Sequence, residues 1–315
     1  MQTILGAGGA IGVELARALP QHTTDVIRLV SRNPKKVNDT DALLSTDLND
    51  WAQVSRAVAG STIVYLTIGY DYNTKLWQER WPVLIKNVVD ACIDHQSKLV
   101  FFDNVYAIGG DNVAHITEAS PMSPCSKKGD VRAAVDRHIL EAVEAGKLDA
   151  IIARAPDFFG PIKDKSLIMN LIYDNMMKDK KAQWFCNADK IHSTGYTPNL
   201  GIGTAMLGNA PTAYNQIWNL PVDPHAPTGR EGLRAVCPRT AQARRRSGTT
   251  RLGDMGIRSV RADFERDVRN ALPVRPRLFL RFGQIQQRLF VYTHHQCGGR
   301  SANSSGVGKA KPIRF

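Results

Sequence analysis

The sequence predicts an α/β fold: a doubly wound parallel sheet with a small C-terminal substrate lobe. Three observations predict it. Short apolar runs of strand length alternate with longer helical stretches. The runs are apolar throughout, so both faces of the sheet must be covered. A glycine-rich turn joins the first run to the first helical stretch. The chain has 315 residues, enough for about two domains or one large one at ~100–200 residues each. Hydrophobic residues make up 43% and charged residues 22%, a globular composition that excludes a wholly disordered chain.

The strands are expected at Thr3–Leu5, Val26–Val30, Leu43–Thr46, Thr62–Thr67, Leu99–Phe102 and Ala150–Ala153. Helices are expected between them at Ala10–Leu19, Asp50–Ala59, Thr74–His95 and Lys127–Ala145. Apolar residues at 84, 85, 88, 89, 92 and 93 carry the spacing of an amphipathic helix. After residue 160 the pattern shifts. Ser166–Met177 and Asn199–Leu207 read as helices, and Gln183–Cys186, Lys190–Gly195 and Asn215–Leu220 as strands. Residues 1–160 thus read as a dinucleotide-binding domain and 161–230 as the lobe over the C-terminal edge of its sheet.

The net charge of +12 invites a nucleic-acid reading, but its distribution opposes one. Residues 1–229 hold 22 Lys and Arg against 24 Asp and Glu, and residues 230–315 hold 19 against 5. The body carries no electrostatic footprint for nucleic acid. In residues 231–315 Arg, Gly, Pro and Ser dominate and apolar periodicity fails. This tail reads either as a natural basic, partly disordered extension or, the preferred reading, as the product of a shifted reading frame. A one-base shift of Gly253–Thr293, with chosen synonymous codons, can restore a helical apolar pattern. Such a tail is expected to pack poorly and to be cut by proteases near residue 231. The five cysteines are scattered without paired spacing, which fits a reducing cytoplasm. No apolar run approaches the ~18 residues of a membrane span, and no signal-peptide pattern opens the chain. The eight histidines show no metal-ligand spacing.

The turn is Gly6-Ala7-Gly8-Gly9-Ala10-Ile11-Gly12. Gly6, Gly9 and Gly12 have distinct tasks: the tight turn, the close approach of a pyrophosphate, and close helix-to-sheet packing. The helix N-terminus offers free N–H groups and partial positive charge to phosphates. The second strand ends at Val30-Ser31-Arg32. No acidic residue stands there to accept a ribose 2′-hydroxyl, and Arg32 suits a 2′-phosphate. The implied cofactor is NADP, with NAD as the alternative.

Further markers are Asp47-Leu48, Val105-Tyr106 and Arg154-Ala155-Pro156-Asp157-Phe158-Phe159-Gly160-Pro161. With the glycines, they make residues 1 to about 230 resemble the short-chain dehydrogenase/reductase superfamily, in its NAD-dependent epimerase/dehydratase branch, extended or atypical. That family has a Rossmann fold and its activity is oxidoreductase or epimerase/dehydratase chemistry on a small molecule. The resemblance implies that Asp47 and Leu48 contact the adenine. It sets Leu66, Thr67, Ile68 and Gly69 along the cofactor ribose and nicotinamide side, and closes Ala155, Pro156 and Phe158 over the nicotinamide.

Catalytic relatives use a Ser or Thr with a Tyr-x-x-x-Lys pair. The lysine, on the same helix face, lowers the phenol pKa. No Tyr-x-x-x-Lys occurs in this sequence. Cys125 stands at the tyrosine position and Gly129 at the lysine position, and the serine position falls near Phe102-Asp103-Asn104. A rebuilt site would draw on Tyr106 as proton donor, Lys128 one residue out of register, and Asp103 or Asn104 as polar anchor. A Cys125 thiol near Lys127 and Lys128 is a further candidate. Tyr70, Tyr72, Trp77, Trp81 and Trp184 are candidates to line a pocket. Three functions remain open: an oxidoreductase acting on a small carbonyl or hydroxyl substrate, a dinucleotide-binding sensor or scaffold without turnover, and a nucleotide-sugar epimerase or dehydratase.

Overall fold

The structure is a computed structural model that describes residues 1–162, 166–175, 178, 182–184 and 187–233. The alternation read from the sequence becomes β1 (Gln2–Leu5), α1 (Ala10–Ala18), β2 (Ile27–Ser31), β3 (Ala42–Ser45), α2 (Trp51–Val58), β4 (Ile63–Leu66), α3 (Thr74–Asp94), β5 (Lys98–Asn104), α4 (Lys127–Glu144) and β6 (Ala150–Ala155). Then come β7 (Phe158–Phe159), a π-helical turn at Met169–Asp174, β8 (Gly195–Tyr196), α5 (Thr197–Gly208) and β9 (Gln216–Asn219).

Helix starts follow the side chains that satisfy them. Asp50 accepts from the Gln53 N–H at the start of α2, Asn73 from Leu76 at α3, and Ser126 from Gly129 at α4. Seven strands form one parallel sheet in the order β3-β2-β1-β4-β5-β6-β9. The order reverses between β1 and β4, so a crevice opens beyond the C-terminal ends of those strands, the usual ligand position in such sheets.

Alternate residues along each strand enter opposite cores, which explains the unbroken apolar runs. Leu5, Leu66, Phe101 and Ile152 face the layer of α2, α3 and α4, where Trp81, Leu84, Val88 and Ile139 are buried. Ile4, Tyr65, Val100 and Ile151 face the other layer, where Ile11, Leu15 and Leu200 are buried.

The structure differs from the sequence reading after residue 160. The segments expected in the small lobe at Asn199–Leu207 and Asn215–Leu220 join the main layers instead. β9 pairs with β6, and α5 lies against α1. Gly201 permits that contact, since a Cβ there would lie 2.7 Å from the Glu14 carbonyl carbon. Local pattern identifies a strand but not the sheet it joins. The strand expected at Lys190–Gly195 shrinks to a bridge between Ile191 and Thr228 and to Gly195 in β8. Ile191 is 71% exposed, so no buried face organises a longer strand. Gln183 and Trp184 form no strand, and Phe185 and Cys186 lie outside the described residues. The helix expected at Ser166–Met177 includes the π-helical turn; Met176 and Met177 also lie outside. The expectations for residues 234–315, the shifted frame and loose packing among them, fall outside the described residues. Among those described, no helix is long and apolar enough to cross a membrane.

Candidate active site

At the end of β1 the chain turns through Gly6 at φ +94°, a conformation that L side chains rarely adopt. A Cβ on Gly6 would lie 2.8 Å from the Ile68 amide nitrogen, and one on Gly12 would lie 2.6 Å from the Gly6 carbonyl oxygen. Both glycines are therefore required by backbone packing. Gly6 and Ala7 donate to the Val30 carbonyl, and Gly9 donates to Gly6. Gly8 faces solvent, with only the Ser31 hydroxyl within 4 Å of where its Cβ would stand. The helix that follows begins at Ala10 after Gly9, with no side-chain cap and no acidic residue in its first turn. The helix start is thus uncapped beside the exposed Gly8, an arrangement that fits a diphosphate. Ala10 and Ile11 turn their own side chains into the core.

Along the same sheet edge, Ser31 ends β2 and Arg32 is exposed beyond it. Asp47 is exposed, and its carboxylate accepts from the Asn49 amide at 3.0 Å and from the Asn49 side chain at 2.6 Å. Those bonds hold the carboxyl below its ordinary range, with smaller pulls from Arg80 and Arg32. Leu48 is buried in the core. Leu66 is buried at the end of β4, and Thr67 and Ile68 then line the back of the glycine turn, with the Thr67 hydroxyl on the Leu5 carbonyl. Ala155 is buried at the end of β6, while Pro156 and Phe158 are half-buried beyond it. The residues expected at the cofactor thus lie on one edge of the sheet, and Leu48, Leu66 and Ala155 present backbone there rather than side chains.

The expected catalytic residues separate into two groups. Asp103 is an interior residue, 1% exposed, whose carboxylate pairs with the buried Arg132 guanidinium. Arg132 in turn lies over the Trp81 ring at 4.1 Å and the Phe101 ring at 4.8 Å. Beside it Arg154 pairs with Asp136 at 2.7 Å, both side chains fully buried. Burial pushes the Asp136 carboxyl up, against the pull of Arg154. This double pair ties the ends of β5 and β6 to α4. Asp103, expected as a polar anchor for substrate, is instead a buried charge already matched by a side chain of α4.

Asn104, Tyr106 and Lys128 remain at the sheet edge, half-buried. The Asn104 side chain accepts from the Tyr106 N–H at 2.9 Å and so fixes the turn that aims the tyrosine. The Tyr106 ring stacks on Trp77, centroids 6.3 Å apart, and meets Tyr72 edge to face at 6.2 Å. Its hydroxyl donates to Asp157 Oδ1 at 3.2 Å. Burial first, then the Asp157 charge, pushes the phenol well above its ordinary range. Lys128 does not reach that phenol directly: its Nζ lies 3.8 Å from the centroid of the Tyr72 ring. The neighbouring position where relatives carry lysine is closed. A Cβ on Gly129 would lie 2.4 Å from the Tyr106 carbonyl oxygen and 2.8 Å from Pro124.

Of the aromatic candidates, Trp77 and Trp81 are buried in the core. Tyr70 packs edge to face on Trp81, and burial pushes its phenol up to about 12. Cys125 is an exposed free thiol. Sequence reasoning missed two residues. Asp157 carried a signal, as the first acidic residue after the end of β6. His192, whose Nε2 lies 3.1 Å from Asp157 Oδ2, carried none, because only the fold brings it near Tyr106. Among the described residues no group of three or more His, Cys, Asp or Glu side chains is placed to hold a metal ion.

The strand order and the glycine turn define a class, the Rossmann-type dinucleotide-binding proteins. Residues 3–189 match the family described as NAD dependent epimerase/dehydratase, and the chain belongs to that family. Short-chain dehydrogenase/reductase family 42E member 1 of Danio rerio is 28% identical over 130 residues, covering 38% of this chain and 34% of that protein. The chain thus spans about a third of the length of that curated relative. Two solved structures share the fold. A double mutant of DesIV, a dTDP-glucose 4,6-dehydratase from Streptomyces venezuelae solved with NAD, is 15% identical with a TM-score of 0.65, over 76% of this chain and 81% of that one. The UDP-glucose 4-epimerase of Thermus thermophilus in complex with NAD is 17% identical with a TM-score of 0.63, over 76% and 84%.

Proposed function

We propose that this chain is an NADP-preferring oxidoreductase that interconverts a small carbonyl compound and its alcohol without a Tyr-x-x-x-Lys pair. The observation that carries this reading is the uncapped, side-chain-free turn at Gly8 and Gly9, on the same sheet edge as the Tyr106 hydroxyl. The amides that open α1 would hold the diphosphate. Asp47 and the backbone at Leu48 would meet the adenine, and Ser31 and Arg32 a 2′-phosphate. Thr67, Ile68, Pro156 and Phe158 would border the nicotinamide. When bound, the nicotinamide supplies or takes the hydride.

The chain's own residues do the rest. Tyr106 holds the substrate oxygen and exchanges a proton with it. Asn104 aims Tyr106, Lys128 places positive charge beside the Tyr72 ring that packs on it, and Asp103 fixes the strand end through Arg132. Tyr106 differs from the tyrosine of the usual pair: its raised pKa keeps the phenol protonated, so it acts as a hydroxyl rather than as a phenolate. The free thiols and the lack of paired cysteine spacing support a reducing, cytoplasmic setting.

The test is a melting-temperature series with NADPH and NADH, followed by NADPH oxidation across a panel of small aldehydes and ketones. A larger shift with NADPH, lost in Arg32→Ala, and turnover of at least one carbonyl support the reading. A shift without turnover favours a non-catalytic nucleotide binder. The names of the structural neighbours favour a second reading, a nucleotide-sugar epimerase or dehydratase. Calorimetric titration with UDP- and dTDP-sugars decides it: heat of binding supports that class, and its absence removes it.

A further inference from the structure

We propose that Tyr106, Asp157 and His192 form a proton relay that takes over the task of the missing Tyr-x-x-x-Lys pair. The inference deepens the oxidoreductase reading and rests on it. Three separate parts of the chain supply the members: the loop after β5, the loop after β6 and the segment before β8. The Asp157 carboxylate bridges them with one oxygen each, Oδ1 3.2 Å from the Tyr106 hydroxyl and Oδ2 3.1 Å from His192 Nε2. Its backbone is fixed as well, since the Gly195 N–H donates to the Asp157 carbonyl at 2.9 Å. Exposure increases from Asp157 to His192. The Asp157 side chain is 17% exposed and that of His192 is 30% exposed, so the relay leads from a half-buried phenol toward water. The Trp184 ring meets the imidazole edge to face at 5.7 Å and sets its plane.

In the oxidation direction the substrate C–H bond breaks and its hydride goes to NADP⁺, the co-reactant. The substrate O–H proton passes to Tyr106 Oη while the Tyr106 proton passes to Asp157, and the substrate C–O bond becomes a carbonyl. Asp157 Oδ2 passes that proton to His192 Nε2, and the ring gives up a proton from Nδ1 to water. Tyr106 begins and ends as a neutral phenol, which suits a group whose burial opposes ionisation. Reduction runs the same steps backward. Tyr106 is the catalytic residue; Asp157 and His192 act through it and are positioning residues.

The test uses the full chain with NADP⁺ and a panel of small aliphatic and aromatic secondary alcohols. Tyr106→Phe and Asp157→Asn are expected to lower kcat by about 100-fold or more, with KM for NADP⁺ and the NADP⁺-induced melting shift unchanged. His192→Gln loses less, and Asp157→Glu recovers part of the loss. A readout independent of turnover is the NMR signal of the His192 ring at one fixed pH: it moves in Asp157→Asn, which removes its hydrogen-bond partner, and moves less in Tyr106→Phe, which changes only the other oxygen of that carboxylate. Variants that keep full kcat, or a His192 ring signal that neither substitution moves, overturn the relay. A protein that binds NADP⁺ and oxidises no alcohol overturns the relay and leaves the nucleotide site standing. A protein that binds no pyridine nucleotide overturns the reading beneath it.

Discussion

Gly12 and Asp103 illustrate how single side chains constrain this molecule in opposite ways. At Gly12 the constraint is the absence of a side chain, because the space is filled by the backbone of Gly6 and Ala7. Gly12→Ala forces rigid backbone apart and is expected to cost about 1–3 kcal/mol of stability. Chemical denaturation measures that loss, and the nucleotide-induced melting shift should shrink with it. At Asp103 the constraint is a matched buried charge. Arg132→Met leaves the carboxylate unpaired and is expected to cost about 3–5 kcal/mol, whereas the double variant Arg132→Met with Asp103→Leu recovers most of it. Urea unfolding of the single and double variants checks both. The glycine spacing was legible because its cause is local: a turn and a helix start lie within seven residues. The Asp103 pair was not, because its partner lies on a helix 29 residues further along the chain.

At the scale of elements, the parallel strands were legible because residues on both faces are buried and the runs stay apolar. In the structure Asp50, Asn73 and Ser126 cap the starts of α2, α3 and α4, a contact within three residues of each cap. What failed was the assignment of α5 and β9 to the lobe. Nothing in Gln216–Asn219 states that its neighbour is β6 rather than a strand of a smaller sheet; that choice is made by packing of α5 on α1. Gly201 is the signature of this packing. Gly201→Leu is expected to push α5 off α1 at the Glu14 backbone and to lower the melting temperature by several degrees, about 1–3 kcal/mol in stability. An unchanged melting temperature would show that the two helices do not meet there. His192 was hidden for a related reason, since its meeting with Asp157 depends on how the segment before β8 returns to the sheet edge.

At the scale of the whole molecule, buried phenols set the response to alkali. Tyr70 is pushed from near 10 up to about 12 by burial, and Tyr65, Tyr106 and Tyr214 are raised as well. Between those two pH values the native state keeps a Tyr70 proton that the unfolded chain has lost. The native state binds more protons, so stability falls as pH rises through that window. Urea midpoints that decline from pH 10 to 12, with a shallower decline in Tyr70→Phe, are the expected outcome. The central claim remains the diphosphate cradle at the start of α1, and thermal unfolding of the full chain with and without NADP⁺ and NAD⁺ tests it most directly. The expected result is a rise in Tm that saturates with nucleotide concentration and is lost in Gly12→Val. A Tm that neither nucleotide moves would contradict it.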